Sequence, residues 1–231
     1  MGLPALRSPL DQYNRATRVL IMTSPHFDFP ARPLPSNTRY TGIPFEPTLE
    51  THWDMPWPSD DQRPLVLVSF STSPQGQAEY LKRTIEALAA LPVRSLVTLG
   101  PTLKVEDFES HENVALVNFV PHGLVLPSAA AMVSQCGHGT VMKALAHGVP
   151  LVCLPLIGDQ PDIAARVVHA GAGIRLPRSA SPQDISKAIQ RILSDPSYLA
   201  NARRLGKKIS SEDGAKSVAD ELELIAYGTG N

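Results

Sequence analysis

Past residue 64 the chain alternates between short apolar runs and longer stretches whose apolar positions recur every three or four residues. The runs "LVLVSF", "SLVTLG", "VALVNF", "AAMVSQ" and "PLVCLP" place apolar side chains at successive positions. Because a pleated strand turns successive side chains to opposite faces, such runs predict strands buried on both sides. Between the first two, "GQAEYLKRTIEALAAL" sets Ala78, Leu81, Ile85 and Leu88 on one helical face. Strand and helix in alternation predict an α/β fold, a parallel sheet with flanking helices joined by right-handed crossovers. The end of the chain, through "SPQDISKAIQRILSD", "PSYLANARRLGKK" and "GAKSVADELELIAYG", predicts three consecutive helices. The first opens with Ser181 as N-cap and Pro182 at the first helical position.

The first 64 residues follow a different rule. They hold 11 of the 22 prolines, in stretches such as "PHFDFPARPLPSN" that sustain neither ladders nor helices. They read as connector, apart from "RVLIMT" (Arg18 to Thr23), a strand-like run with no sheet to join nearby. The expected organisation is therefore residues 1–64 as one piece and 65–231 as one domain, with no repeat or low-complexity tract.

Composition narrows the function. With 43% hydrophobic residues the chain can build a core, and its formal net charge of -1 supplies no field for nucleic acid or an anionic membrane, so neither is expected as a partner. Cys136 and Cys153 each adjoin an apolar run, a placement that suggests neither a disulfide framework nor a metal site and fits a reducing cytoplasm. No apolar run approaches the roughly 18 residues of a membrane span, and the opening residues lack a signal-peptide core.

Candidate chemistry concentrates in "QCGHGT" (Gln135 to Thr140), which joins a strand run to the helical "TVMKALAH". At the carboxyl end of a parallel strand, a loop entering a helix turns N–H groups and the positive end of the helix dipole toward one point, a setting suited to a diphosphate. Gly137 and Gly139 allow close backbone approach or positive φ; they would serve equally in a tight turn with no ligand. A dinucleotide fingerprint fails at Met142, which stands where the third glycine belongs, and this argues against an oxidoreductase.

Read together, "FVPH" (Phe119 to His122), "QCGHGT", "GVP" (Gly148 to Pro150) and "DQ" (Asp159, Gln160) resemble, in order and spacing, the donor-binding signature of the nucleotide-sugar glycosyltransferases of GT-B fold. The resemblance is to the antibiotic and macrolide enzymes of bacteria and the secondary-product enzymes of plants. "VSFSTSPQGQ" and "RRLGKKI" extend it over residues 64–231, and "RYTGIPFEP" looks like the family's interdomain linker. It implies a Rossmann-like C-terminal domain that binds a UDP- or dTDP-sugar without a metal or other cofactor.

Carried over residue by residue, the resemblance implies Phe119, the Val120 backbone, His122 and Lys143 around the nucleobase and ribose. Thr72, Gln135, Gly137, His138, Gly139 and Thr140 would surround the diphosphate, and Asp159 and Gln160 the sugar hydroxyls. Asp159 and Gln160 would otherwise cap the helix that follows. Two positions depart from the pattern. Gln135 replaces the usual histidine, and Lys143 replaces a glutamate, so that Lys143 either reaches the diphosphate or is a solvated helix-face lysine.

In the resembled enzymes the general base is a histidine, oriented by an aspartate, in an N-terminal acceptor domain; no histidine here can be assigned that role. The expectation is thus the donor-binding half of an inverting glycosyltransferase with no catalytic residue of its own. Its first 64 residues would be the tail of an acceptor domain, supplied in cis or in trans, and self-association is a further expectation. The competing reading is a noncatalytic nucleotide-sugar-binding or activator subunit; an epimerase of the same architecture fits the signature poorly.

Overall fold

The computed structural model describes residues 6–8, 10–30, 33–46, 52–70 and 76–228. By packing, the chain divides into two units, Met1–Glu46 with Lys208–Asn231, and Pro47–Lys207.

The smaller unit begins with α1 (Asp11–Arg15), followed by β1 (Val19–Ile21) and β2 (Thr38–Tyr40). The "RVLIMT" run does form a strand, but it has a partner. β2 pairs with it in parallel, Val19 opposite Thr38. That partner lies partly within the stretch read as linker, where three residues with a single aromatic give no periodic signal.

The larger unit holds a parallel sheet of β3 (Leu65–Ser69), β4 (Arg94–Thr98), β5 (Val114–Val117), β6 (Ala129–Ser134), β7 (Leu151–Cys153) and β8 (Gly173–Arg175). The five expected runs are its first five strands. β8 is an addition, a three-residue strand opened by glycine. Between strands lie α2 (Ala78–Ala89), α3 (His122–Val125), α4 (His138–Ala146) and α5 (Gln160–His169), and after β8 come α6 (Pro182–Ser194) and α7 (Pro196–Ser210). Strand order is β5-β4-β3-β6-β7-β8.

Alternation along the strands divides the core. Val66, Val68, Val97, Val133 and Val152 join Leu81, Ile85 and Leu88 of α2 and Ile185, Ile189 and Ile192 of α6 in one buried cluster. Leu67, Leu96, Met132 and Leu151, equally buried, point to the opposite face, the side of α4 and α5. α6 begins as expected: the Ser181 hydroxyl accepts the Asp184 N–H at 3.2 Å, and the Asp184 carboxylate accepts the Ser181 N–H at 2.9 Å.

The "GVP" stretch has a mechanical role. α4 ends with Gly148 at φ 71, its N–H bonded to the Leu145 carbonyl at 2.8 Å while the Val149 N–H returns to Ala144 at 2.9 Å. This closure turns the chain straight into β7, and α5 enters β8 the same way through Gly171. α7 lies across both closures: Arg203 approaches Gly148, and the Asn201 side-chain amide donates to the Gly171 carbonyl at 3.1 Å.

Returning to the smaller unit, polar contacts tie the residues on either side of β1 to α8 (Gly214–Tyr227) and to the turn before it. Arg18 pairs with Glu221 at 2.8 Å, and the Ser24 hydroxyl donates to Glu212 at 2.6 Å. Leu222, Leu224, Ile225 and Tyr227 on α8 remain exposed.

Gly206 inverts an ordinary expectation. In a helix interior, replacing glycine by alanine stabilises by about 0.5–1 kcal/mol. A Cβ at Gly206, however, would stand 2.3 Å from the Leu145 carbonyl oxygen. Gly206→Ala should therefore lower stability by about 1–3 kcal/mol through overpacking, read as a lower urea midpoint at unchanged slope. Ser181→Ala should cost about 1 kcal/mol through the lost cap.

Candidate functional site

Strand order reverses between β3 and β6. Chains leaving these two strands diverge to opposite faces of the sheet, and the crevice between them is where an open parallel sheet takes a ligand. Thr72 belongs to the loop leaving β3, and it lies outside the described residues. A hollow of about 520 Å³, lined by Arg63, Ala89 and His111, opens at the other end of the strands, and Arg63 there is already paired with Asp61 at 2.7 Å.

The second wall of the crevice is the glycine loop. β6 ends at Ser134, and α4 starts at His138 with Gly137 as N-cap, two residues earlier than "TVMKALAH" predicts. The Val141 N–H makes the first intrahelical bond, to the Gly137 carbonyl at 3.0 Å. The N–H groups of His138, Gly139 and Thr140 thus stand ahead of the helical ladder, at the positive end of the dipole, in a first turn with no acidic residue.

The bend of this loop is made by a non-glycine residue. Cys136 has φ 70, while Gly137 is extended at φ -60 and ψ 134, and Gly139 is not among the positive-φ glycines. A Cβ at Gly137 would meet the Gln135 side-chain nitrogen at an ordinary 3.5 Å, and one at Gly139 would meet no described atom within 4 Å. Among the described residues, neither backbone conformation nor crowding accounts for the two glycines. Their effect is to leave main chain bare toward the crevice.

The side chains around the loop are unequally disposed. Gln135 is buried, and its carbonyl accepts the Ser134 hydroxyl at 3.2 Å. That hydroxyl also accepts the Cys136 N–H at 3.1 Å, so Ser134, which sequence reasoning missed, braces the bend. His138 is half-buried; burial lowers its pKa, and the nearby Asp159 carboxylate opposes that shift while Arg166 reinforces it. Arg166 was also missed, although it stands two turns after Asp159 and so shares its helical face.

Phe119 is 74% exposed, an apolar ring presented to solvent at the rim, whereas the Val120 side chain is 1% exposed and leaves only backbone for a ligand. His122 opens α3 with its pKa pushed down to about 4, first by burial and then by the positive charge of Lys143. That coupling places Lys143 on the His122 side of the loop. Asp159 occupies the N-cap place of α5 without a side-chain capping bond and is exposed. Gln160 is buried, its side-chain carbonyl accepting the N–H groups of Leu156 and Ile157 at 2.8 and 3.0 Å. It thereby shapes the loop that carries Asp159, and neither side chain acts as the helix cap offered as an alternative.

The low pKa of His122 has a consequence for stability. Unfolded, the imidazole binds a proton near 6.5; folded, it does so only near 4, so the unfolded chain holds more protons between these values. Stability contributed above pH 6.5 is lost as the pH falls toward 4. Denaturant midpoints measured at pH 7 and pH 5 should differ less in His122→Gln than in the parent.

The profile of the erythromycin biosynthesis protein CIII-like C-terminal domain matches residues 82–225. Over 97% of the chain the sequence is 34% identical to the 4'-demethylrebeccamycin synthase of Lentzea aerocolonigenes, of which it covers 53%. The calicheamicin glycosyltransferase CalG4 superposes with a TM-score of 0.80 at 25% identity, over 97% of this chain and 58% of that one. The glycosyltransferase VinC, solved in complex with DTDP, superposes with a TM-score of 0.73 at 23% identity, over 91% of this chain and 53% of that one. The chain spans about half the length of these relatives. The fold, the order of the signature residues and these similarities agree: the chain belongs to the erythromycin biosynthesis protein CIII-like C-terminal domain family, within the glycosyltransferases of GT-B fold.

Proposed function

We propose that this chain is the donor-binding half of an inverting glycosyltransferase, holding a UDP- or dTDP-sugar whose sugar passes to a small, natural-product-like acceptor. The observation that carries this reading is the pair Gly137 and Gly139 at the amino end of α4, for which neither φ nor any described neighbour requires glycine. Close approach of a diphosphate supplies the reason. The DTDP held by VinC and the synthase activity of the rebeccamycin relative point to the same class of ligand and reaction.

In this reading Phe119 stacks on the nucleobase, with the Val120 backbone and His122 beside it. The N–H groups of residues 138–140, with Thr140 and His138, hold the diphosphate, and Asp159 accepts sugar hydroxyls. The acceptor oxygen attacks the anomeric carbon from the face opposite the diphosphate, and the bond to the diphosphate breaks. Charge then arrives on the departing phosphate oxygen, where preorganised amides and the helix dipole stabilise it. The proton of the acceptor goes to a general base in an acceptor domain, supplied in cis or in trans. The exposed apolar residues of α8 and the half-length match to its relatives support such a partner. No metal is required, because the loop carries the compensating positive potential.

Gln135 and Lys143 favour a second reading, a noncatalytic nucleotide-sugar-binding or activator subunit. The amide brings no charge to the place where the family's histidine stands, and its carbonyl is engaged by Ser134. Adding the acceptor domain in trans separates the two, since sugar transfer excludes a purely regulatory role.

Calorimetric titration of the chain with UDP and dTDP should show binding unchanged by EDTA, and incubation with the UDP- or dTDP-sugar should give no transfer without an acceptor domain; no binding of any nucleoside diphosphate would sink the donor-site reading. Gly139→Ala should leave the denaturation midpoint equal or higher and weaken binding at least about tenfold, because its Cβ meets no described atom of the protein and would stand against the ligand. Phe119→Ala should weaken binding by about 1–3 kcal/mol through lost stacking.

A further inference from the structure

The two cysteines have no role in the proposed donor site, yet they converge directly beneath it. Both are free and 0% exposed. The Cys136 sulfur lies 3.7 Å from the Ser134 carbonyl oxygen. The same oxygen accepts the N–H of Leu154, the residue after Cys153, at 2.8 Å. Ser134 is itself the register partner of Cys153 in the β6–β7 ladder. One carbonyl thus bridges the two cysteine positions. In agreement, the neighbouring Cys153 thiol is the first cause that raises the Cys136 pKa.

We propose that Cys136 and Cys153 are an oxidisable pair whose disulfide displaces the glycine loop and so weakens the nucleotide site. The direction follows from which cysteine can yield. A disulfide requires a sulfur separation of about 2.0 Å, well inside the contact distance of two thiols, and a close-packed interior offers no slack for that approach. Cys153 is held in the sheet on both sides, opposite Ser134 and Arg175. Cys136 lies outside the ladder, in a left-handed conformation at φ 70, with its N–H on the Ser134 hydroxyl. The loop therefore moves, and residues 137–140 move with it. The step balances with a two-electron oxidant of the azo or peroxide class: two S–H bonds break, one S–S bond forms, and two electrons and two protons pass to the oxidant. Burial of both sulfurs and the raised Cys136 pKa make the pair slow to react.

The effect on nucleotide rests on the proposed donor site; the thiol chemistry does not, and the test separates them. The whole chain is treated with diamide, an azo oxidant, and the treated and reduced forms are compared. Intact mass and thiol titration in denaturant should show two hydrogens and both thiols lost within one chain. Hydrogen exchange at residues 135–140 should rise, and UDP affinity should fall about tenfold, or about 1.4 kcal/mol, and recover on reduction with dithiothreitol. By linkage, saturating UDP should slow the pairing. Cys153→Ala should bind UDP like the reduced parent and ignore diamide. The proposal is overturned if both thiols survive treatment, if the disulfide joins two chains, or if the pair forms with unchanged exchange at residues 135–140. A reduced chain that binds no nucleoside diphosphate defeats the donor-site reading, while mass and exchange still decide the thiol pair.

Discussion

The reversal of strand order between β3 and β6 is the constraint from which the rest of the larger unit follows. It requires the chain to leave two adjacent strands toward opposite faces, and a crevice opens between the two exits at their carboxyl ends. Having a gap there, the fold lines it with what lies nearest: the bend at Cys136 and the first turn of α4. The helix begins at the strand end with only three residues between, Gln135, Cys136 and Gly137. That short connection brings the dipole and the leading N–H groups to the crevice.

Holding this geometry is the task of elements remote from it. α4 can present its amino end only if its carboxyl end is anchored, and the closure at Gly148 and the β7 strand behind it supply the anchor. α7 then covers that closure so tightly that Gly206 has no room for a methyl group. The "GVP" portion of the signature therefore serves the loop mechanically, from the far end of the same helix, with no ligand contact required of it.

Electrostatics around the loop are arranged by burial more than by pairing. His122 and His138 are kept short of full protonation by desolvation, and Lys143 and Arg166 add to that effect. Two imidazoles held below their ordinary pKa thus flank the amino end of α4, with Asp159 as the acidic group near His138. The smaller unit follows another logic. The segments flanking β1 are joined to the C-terminal segment by Arg18–Glu221 and Ser24–Glu212, polar ties that add to the few buried apolar side chains of this unit, Phe27 and Ile209.

The sequence by itself determined the layer architecture, five of the six strands of the main sheet, the α6 cap at Ser181 and the location of the glycine loop. Each of these is written in local patterns: apolar runs long enough to show a period, a serine before a proline, or a strand run ending in small residues. β2 and β8 escaped because neither lies in an apolar run of the kind that marked the equally short β1 and β7, and their strand character comes from partners elsewhere in the chain. What the two glycines are for was open on the same grounds, since a turn and a ligand cradle use the same letters. Tertiary structure added that the positive φ falls on Cys136 and that no described neighbour crowds Gly137 or Gly139, because φ and free space depend on neighbours that no local pattern specifies. For the same reason the convergence of Cys136 and Cys153, seventeen residues apart in the chain, became visible only once β6 and β7 were in register.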